Sequence, residues 1–218
     1  MNSYLLSVLE DAPVVPLIGE DDSATAVSVA HALVEGGLGV IEVVLRSPNA
    51  QAGMEAIIEE NGDYDRGMVI GAGTVLTLDQ AKSVRASGAQ FIVSPGLVDE
   101  IAEYCLAEDI PFFPGTMTAG EVQRAYAMGL RAVKFFPAQL AGGVPMLKAF
   151  SSVFGDMRFM PTGGVSPGNL ADFLAVPAVL ACGGSWLTPA AAIADGNFEQ
   201  ITALAKEAVE IATQARGA

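Results

Sequence analysis

The chain has 218 residues, of which 51% are apolar and 17% charged, and its formal net charge is −14. This apolar content excludes an intrinsically disordered chain, and no apolar run reaches the ~18 residues that span a bilayer. The acidic balance argues against binding to nucleic acid or to an anionic membrane surface, because both attract basic faces.

Eight short apolar runs, rich in β-branched and aromatic residues, recur along the chain and predict β-strands. In chain order they are Pro13–Ile18, Val40–Leu45, Met68–Thr74, Phe91–Pro95, Pro111–Thr116, Ala132–Pro137, Arg158–Gly163 and Val179–Ser185. They lack a clean alternation of apolar and polar residues, which is typical of strands buried on both faces of a parallel sheet.

Segments with helical periodicity follow the strands. In chain order they are Ser23–Glu35, Asn49–Glu60, Asp79–Ser87, Asp99–Ala107, Glu121–Met128, Val144–Phe154, Pro167–Leu174 and Phe198–Ala215. This alternation predicts an α/β protein with one domain, a (β/α)8 TIM barrel over residues 1–218. The alternative is an open doubly wound sheet, which is disfavoured because no G-x-G-x-x-G motif follows the first strand.

The N-terminal residues and the cysteines bear on compartment and metal binding. The first eleven residues lack the basic region of a secretory signal peptide, so we expect a cytoplasmic protein. Cys105 and Cys182 are far apart in sequence and the chain has one histidine. We therefore expect no zinc or iron site, and no cofactor.

Lys134 is the one lysine that falls inside a predicted strand, since the other three fall in predicted helices. The structural interpretation is a lysine at a sheet edge or one whose amine snorkels to solvent, but a closed parallel barrel has no edge strand. Burial disfavours the charged form of an amine, and a neutral amine can form a Schiff base with a ketone. The pattern therefore favours Lys134 as a nucleophile.

Glu42 and Arg46 belong to the second predicted strand and its end, and they share a face with Val44. They could form a structural ion pair with each other. The alternative is that both face the mouth of the barrel. Glu42 would then be a general base near Lys134, and Arg46 would bind a substrate carboxylate.

Glycine-rich turns are predicted after the last two strands, at Thr162–Ser166 and at Cys182–Ser185. In TIM barrels the loops after strands 7 and 8 often bind phosphate through backbone N–H groups. Ordinary turn glycines are the alternative. Two such turns on adjacent late strands favour a phosphate site, which an acidic chain needs in order to hold an anion.

Seven segments between about Pro13 and Trp186 match one family in order. They are Ile41–Pro48, Gly71–Leu76, Phe91–Gly96, Pro114–Thr118, Lys134–Ala138, Pro161–Val165 and Gly183–Leu187. In these segments the chain resembles the class I aldolases that act on 2-keto-3-deoxy-6-phosphogluconate (KDPG) and 4-hydroxy-2-oxoglutarate (KHG). The resemblance implies a (β/α)8 barrel that assembles as a homotrimer and uses no metal.

The resemblance also implies roles for single residues. Lys134 matches the Schiff-base lysine and Glu42 the general acid/base. The substrate-binding matches are Arg46, Thr74, Pro95 and Phe136 around the pyruvyl part, Gly163, Gly164, Gly184 and Ser185 at the phosphate end, and Thr162 beside them.

The partner that the resemblance implies is a small 2-keto acid, phosphorylated in the case of KDPG. Cleavage would produce pyruvate with glyceraldehyde 3-phosphate from KDPG, or pyruvate with glyoxylate from KHG. The alternative is a phosphate-binding barrel, of isomerase type or without catalysis, that forms no covalent intermediate and needs no lysine in its sixth strand. A metal-dependent aldolase is disfavoured by the single histidine.

Overall fold

The computed structural model describes residues 3–61 and 67–217, in which strands alternate with helices. The strands are β1 Val14–Ile18, β2 Val40–Val44, β3 Val69–Gly73, β4 Phe91–Val93, β5 Phe112–Phe113, β6 Gly115–Thr116, β7 Ala132–Phe135, β8 Arg158–Pro161 and β9 Cys182–Gly184. Strands β5 and β6 are the two parts of one predicted strand. They are separated by Pro114, which has no N–H to donate to a neighbouring strand.

The strand pairs are parallel and close into a barrel. The order β5-β4-β3-β2-β1-β9 forms one arc and β6-β7-β8 forms the other. The arcs are joined through Pro114 and by the parallel bridges Phe159↔Val179 and Thr162↔Gly183. The predicted (β/α)8 barrel is therefore confirmed. The open sheet is wrong, because β1 pairs with β9 and leaves no free edge there.

The helices pack around the outside of this barrel. They are α1 Ser3–Asp11, α2 Ser23–Glu35, α3 Ala50–Glu60, α4 Leu78–Ala86, α5 Asp99–Ala107, α6 Ala119–Ala127, α7 Gly143–Val153, α8 Pro167–Leu174, α9 Ala190–Ala194 and α10 Phe198–Arg216. The eight predicted helices are confirmed, with ends that differ by at most two residues. Helices α1 and α9 were not predicted, because the alternating pattern assigns one helix after each strand, whereas α1 precedes β1 and α9 is an additional helix between β9 and α10.

Apolar side chains form two clusters on the two faces of the sheet. The larger cluster lies between strands and helices and includes Ile41, Ile70 and Phe159. The smaller one fills the barrel interior and includes Val40 and Ala132. Helix α1 adds Leu5 and Leu9 to this interior cluster and so closes the N-terminal end of the barrel. The C-terminal end, where TIM barrels carry their active sites, is left for a substrate.

The helices were also compared with the length and apolar character that a membrane-spanning helix needs. Within residues 3–61 and 67–217, none is both long enough and apolar enough to cross a bilayer.

Candidate active site

Lys134 and Glu42 meet inside the barrel. The Nζ atom of Lys134 lies 3.4 Å from Oε1 of Glu42, across 92 positions of sequence. Glu42 is completely buried and Lys134 is 5% exposed. The structure therefore pairs Glu42 with Lys134, and the alternative of a structural ion pair between Glu42 and Arg46 is wrong.

Strand alternation directs both side chains inward. Val40 and Ala132, each two residues earlier, belong to the apolar cluster of the interior, and alternate residues of a strand share a face. Phe136 follows Lys134 on the same face, with its ring centroid 5.4 Å from Nζ, a distance at which an ammonium and an aromatic face attract each other. The second carboxylate oxygen of Glu42, Oε2, is buried without a hydrogen-bond partner among the described residues.

Arg46 and Thr74 lie just beyond the C-terminal ends of β2 and β3. The Nε of Arg46 donates a hydrogen bond to Oγ1 of Thr74 at 3.4 Å, and Arg46 is exposed, so its guanidinium is open to a ligand. Thr74 has a φ of +58°, which is unusual for a β-branched residue and is a form of strain found at functional sites. Pro95 follows β4 and is exposed at the same end of the barrel.

A glycine turn follows β8, as predicted. Gly163 and Gly164 have φ angles of +94° and +81°, in the left-handed region that glycine adopts without strain. The N–H groups of Gly164 and Val165 donate no hydrogen bond to any described part of the chain. Consecutive free N–H groups in a turn form a concave site for an anion. The Phe136 ring lies against Gly163 and so connects this turn to Lys134.

Asn169 holds the turn in place. Its Nδ2 donates to the carbonyl oxygen of Gly164 at 2.9 Å, and its Oδ1 accepts from the N–H of Ser166 at 2.8 Å. Ser166 is the N-cap of α8 and Asn169 is the third residue of that helix. The sequence analysis did not identify Asn169. The available signal was the capping pattern Ser-x-x-Asn, which begins two residues after Gly164.

Gly184 does not lie in a turn, and the second predicted glycine turn is wrong. Gly184 is the last residue of β9 and is paired with Pro16 of β1. A Cβ on Gly184 would lie 2.4 Å from the ring of Trp186, so the glycine makes room for the indole. Ser185 begins a short 3-10 helix, Ser185–Leu187, and is exposed at the barrel mouth.

Thr162 is buried next to β9. A Cβ on Gly183 would lie 2.3 Å from Oγ1 of Thr162, and the two residues form a parallel bridge. This bridge makes the Gly163–Gly164 turn and Ser185 neighbours at the same end of the barrel. Together they line one side of the candidate site.

Neither cysteine belongs to this site. Both thiols are buried and unpaired. Burial raises the pKa of Cys105 to about 12 and also raises the pKa of Cys182, on which Arg216 has a smaller opposing effect. Within the described ranges, no three or more His, Cys, Asp or Glu side chains are grouped as metal ligands.

The chain is similar to known aldolases over nearly its whole length. Residues 5–204 match the family model described as KDPG and KHG aldolase. The KHG/KDPG aldolase of Escherichia coli strain K12 is 44% identical over 204 residues, which are 94% of this chain and 94% of that protein.

Two solved structures are also similar. The KDPG aldolase of Legionella pneumophila, with pyruvate captured as a covalent carbinolamine intermediate, has a TM-score of 0.87 and 40% identity and covers 92% of this chain and 96% of its own. The KDPG aldolase of Zymomonas mobilis with 3-phosphoglycerate has a TM-score of 0.84 and 40% identity and covers 93% of both chains.

Proposed function

Since the chain belongs to the family of KDPG and KHG aldolases, we propose that it is a class I aldolase that cleaves a 2-keto acid through a Schiff base. Its substrates are KDPG, cleaved to pyruvate and glyceraldehyde 3-phosphate, KHG, cleaved to pyruvate and glyoxylate, or both. The observation that carries this proposal is the buried contact of 3.4 Å between Lys134 Nζ and Glu42 Oε1.

Lys134 is the nucleophile. Its amine attacks the C2 ketone to form a carbinolamine, and loss of water leaves a protonated imine. The imine withdraws the electron pair of the C3–C4 bond when that bond breaks, so that an enamine and an aldehyde form. The covalent carbinolamine that pyruvate forms in the Legionella relative supports this sequence of steps.

Glu42 carries protons next to this imine. Its carboxylate accepts the proton of the C4 hydroxyl during cleavage and later returns a proton to C3 of the enamine. Hydrolysis of the resulting pyruvyl imine releases pyruvate and frees Lys134. A general base must lie within hydrogen-bond reach of its proton or be one water away. The carboxylate oxygen beside Lys134 Nζ supports this role for a substrate bound to that nitrogen.

The pyruvyl part is held by the residues around the mouth. Arg46 binds the substrate carboxylate through its guanidinium, which forms paired hydrogen bonds with such groups. Thr74, in contact with Arg46 Nε, adds a hydroxyl. Pro95 and Phe136 form apolar walls that exclude water from the imine.

The phosphate of KDPG is bound at the other end of the site. Its ligands are the N–H groups that follow Gly163 in the turn, those of Gly164 and Val165, and the hydroxyl of Ser185, with Thr162 and Gly184 shaping the floor beneath them. The similarity to the Zymomonas enzyme, whose structure contains 3-phosphoglycerate, supports a phosphate-bearing ligand.

The assembly and the compartment complete the proposal. A homotrimer is proposed from the resemblance to the KDPG and KHG aldolases, whose family model matches residues 5–204. A cytoplasmic location is supported by the two unpaired cysteines, which are typical of a reducing compartment.

Borohydride trapping tests the covalent step. Incubation with pyruvate and sodium borohydride should add one reduced pyruvyl group at Lys134, found by peptide mass mapping. Lys134→Arg should abolish the adduct because a guanidinium stays protonated, while Lys148→Arg, on the exposed surface of α7, should retain it. An adduct on Lys82, Lys148 or Lys206 would contradict the assignment, and turnover without any adduct would favour the non-covalent barrel.

A pyruvate-release assay separates the two substrates. KDPG and KHG should be assayed in parallel with a chelator present, and activity that persists with the chelator is expected of a Schiff-base aldolase. Loss of activity on chelation would contradict the proposed mechanism.

A further inference from the structure

Gly73 lies directly under the Glu42 carboxylate. In the register of β2 and β3, Glu42 is paired with Gly71 and Val44 with Gly73. A Cβ on Gly73 would lie 2.0 Å from Oε1 of Glu42 and 2.6 Å from both Cδ and Cγ. Carbon atoms in contact are normally about 3.5–4.0 Å apart. The carboxylate therefore occupies space that any side chain at position 73 would take.

The backbone does not require glycine here. Gly73 is in a strand and is not among the glycines with positive φ, unlike Gly163 and Gly164. Glycine inside a strand gives up side-chain packing and often marks a close approach by another group. At Gly73 the approaching group is the carboxylate of Glu42.

The neighbouring glycine of the same strand makes room for a different group. A Cβ on Gly71 would lie 2.3 Å from the Phe91 ring, which packs edge-on against Phe113 in the barrel interior. Gly71 therefore leaves space for an aromatic ring of the apolar core, whereas Gly73 leaves space for the carboxylate of the Glu42–Lys134 pair.

Glu42 cannot keep its position if Gly73 gains a side chain. Glu42 is completely buried, and the clash includes Cγ, so rotation of the terminal carboxylate alone does not relieve it. The oxygen with the closest approach, Oε1, is also the one that contacts Lys134 Nζ. A methyl group at position 73 would therefore move the carboxylate away from Lys134.

We propose that Gly73 is a positioning residue for proton transfer, because its lack of a side chain holds open the space in which Glu42 reaches Lys134. This inference rests on the proposed Schiff-base function. It assigns Gly73 no contact with substrate. It predicts that a side chain at this position separates imine formation from proton transfer.

Gly73→Ala tests the inference with two readouts. Borohydride trapping of pyruvate at Lys134 should persist, while exchange of pyruvate methyl protons with deuterated solvent should fall by roughly 10², the lower end of the loss when a general base is removed. Gly155→Ala, where a Cβ meets open space, should exchange at the parent rate. A general structural defect would instead lower trapping and exchange together, and a folded Gly73→Ala protein with parental exchange would overturn the proposal.

A stability cycle tests the steric part without relying on the reaction. Gly73→Ala should lower Tm by roughly 2 to 12 °C in the parent, but should leave Tm nearly unchanged in a Glu42→Ala background, where Cγ and the carboxylate are gone. An equal loss of Tm in both backgrounds would overturn the proposal. If Gly73→Ala alone does not fold, a Glu42→Ala/Gly73→Ala protein that also fails to fold, while Glu42→Ala folds, would overturn it. Failure of the Schiff-base function is seen separately, as a parent protein that traps no pyruvate.

Discussion

Replacement of Glu42 by glutamine should remove proton transfer and leave the covalent step. The amide has nearly the same size and shape as the carboxyl group, so the glutamine side chain fits in the same space above Gly73 and keeps an oxygen that accepts a hydrogen bond from Lys134. It cannot take up and return a proton. Loss of a general base costs roughly 10² to 10⁴ in rate, which corresponds to about 3 to 5 kcal/mol of activation free energy.

The geometry of the pair also sets the cost in stability. Two unit charges 3.4 Å apart interact by about 5 kcal/mol at an effective dielectric constant of ~20. A hydrogen bond from a charged donor retains about 1.5 to 3 kcal/mol of this. We therefore expect Glu42→Gln to lower the free energy of unfolding by about 2 to 3.5 kcal/mol, as measured by urea denaturation.

The assay compares two rates in the same protein. Proton NMR of pyruvate in deuterated solvent measures exchange of the methyl protons, and borohydride trapping measures imine formation at Lys134. The matched control is Glu100→Gln, the same change at an exposed position of α5, for which both rates should equal those of the parent. A folded Glu42→Gln protein that exchanges methyl protons at the parent rate would refute the role of Glu42.

Two further predictions concern the anion-binding end and the thiols. Ser185→Asp places a negative charge at the exposed start of the 3-10 helix, and it should raise the KM for KDPG by roughly tenfold with little change in the KM for KHG. The control Ser185→Ala should change both KM values only slightly. An equal rise of KM for both substrates in Ser185→Asp would contradict a phosphate site there. Because burial raises the pKa values of Cys105 and Cys182, both remain protonated at pH 8, so a thiol-specific disulfide reagent should label neither in the folded protein and both in urea. Rapid labelling of the native protein would show that these thiols are accessible.

The order of the elements and the two members of the buried charged pair could be predicted from local pattern. A strand buried on both faces requires a nearly continuous apolar run, so the charges of Lys134 and Glu42 stood out within two such runs. Helices α2 to α8 and α10 could be predicted because each presents a regular apolar stripe to the barrel, which appears in the sequence as helical periodicity. The local pattern was misleading at Gly183 and Gly184. Two consecutive glycines are typical of a turn, but here they belong to β9, and the Trp186 ring packs against Gly184.

Distances within the site depended on the tertiary structure. Lys134 and Glu42 are 92 residues apart, and only closure of the barrel together with the register of its strands brings Nζ to Oε1. The space above Gly73 exists because β2 and β3 pair in that register, and Asn169 reaches Gly164 because α8 begins directly after the turn. Periodicity tells which face of an element is buried. Which residues share that buried space is decided by how the elements pair, and no local run of sequence encodes it.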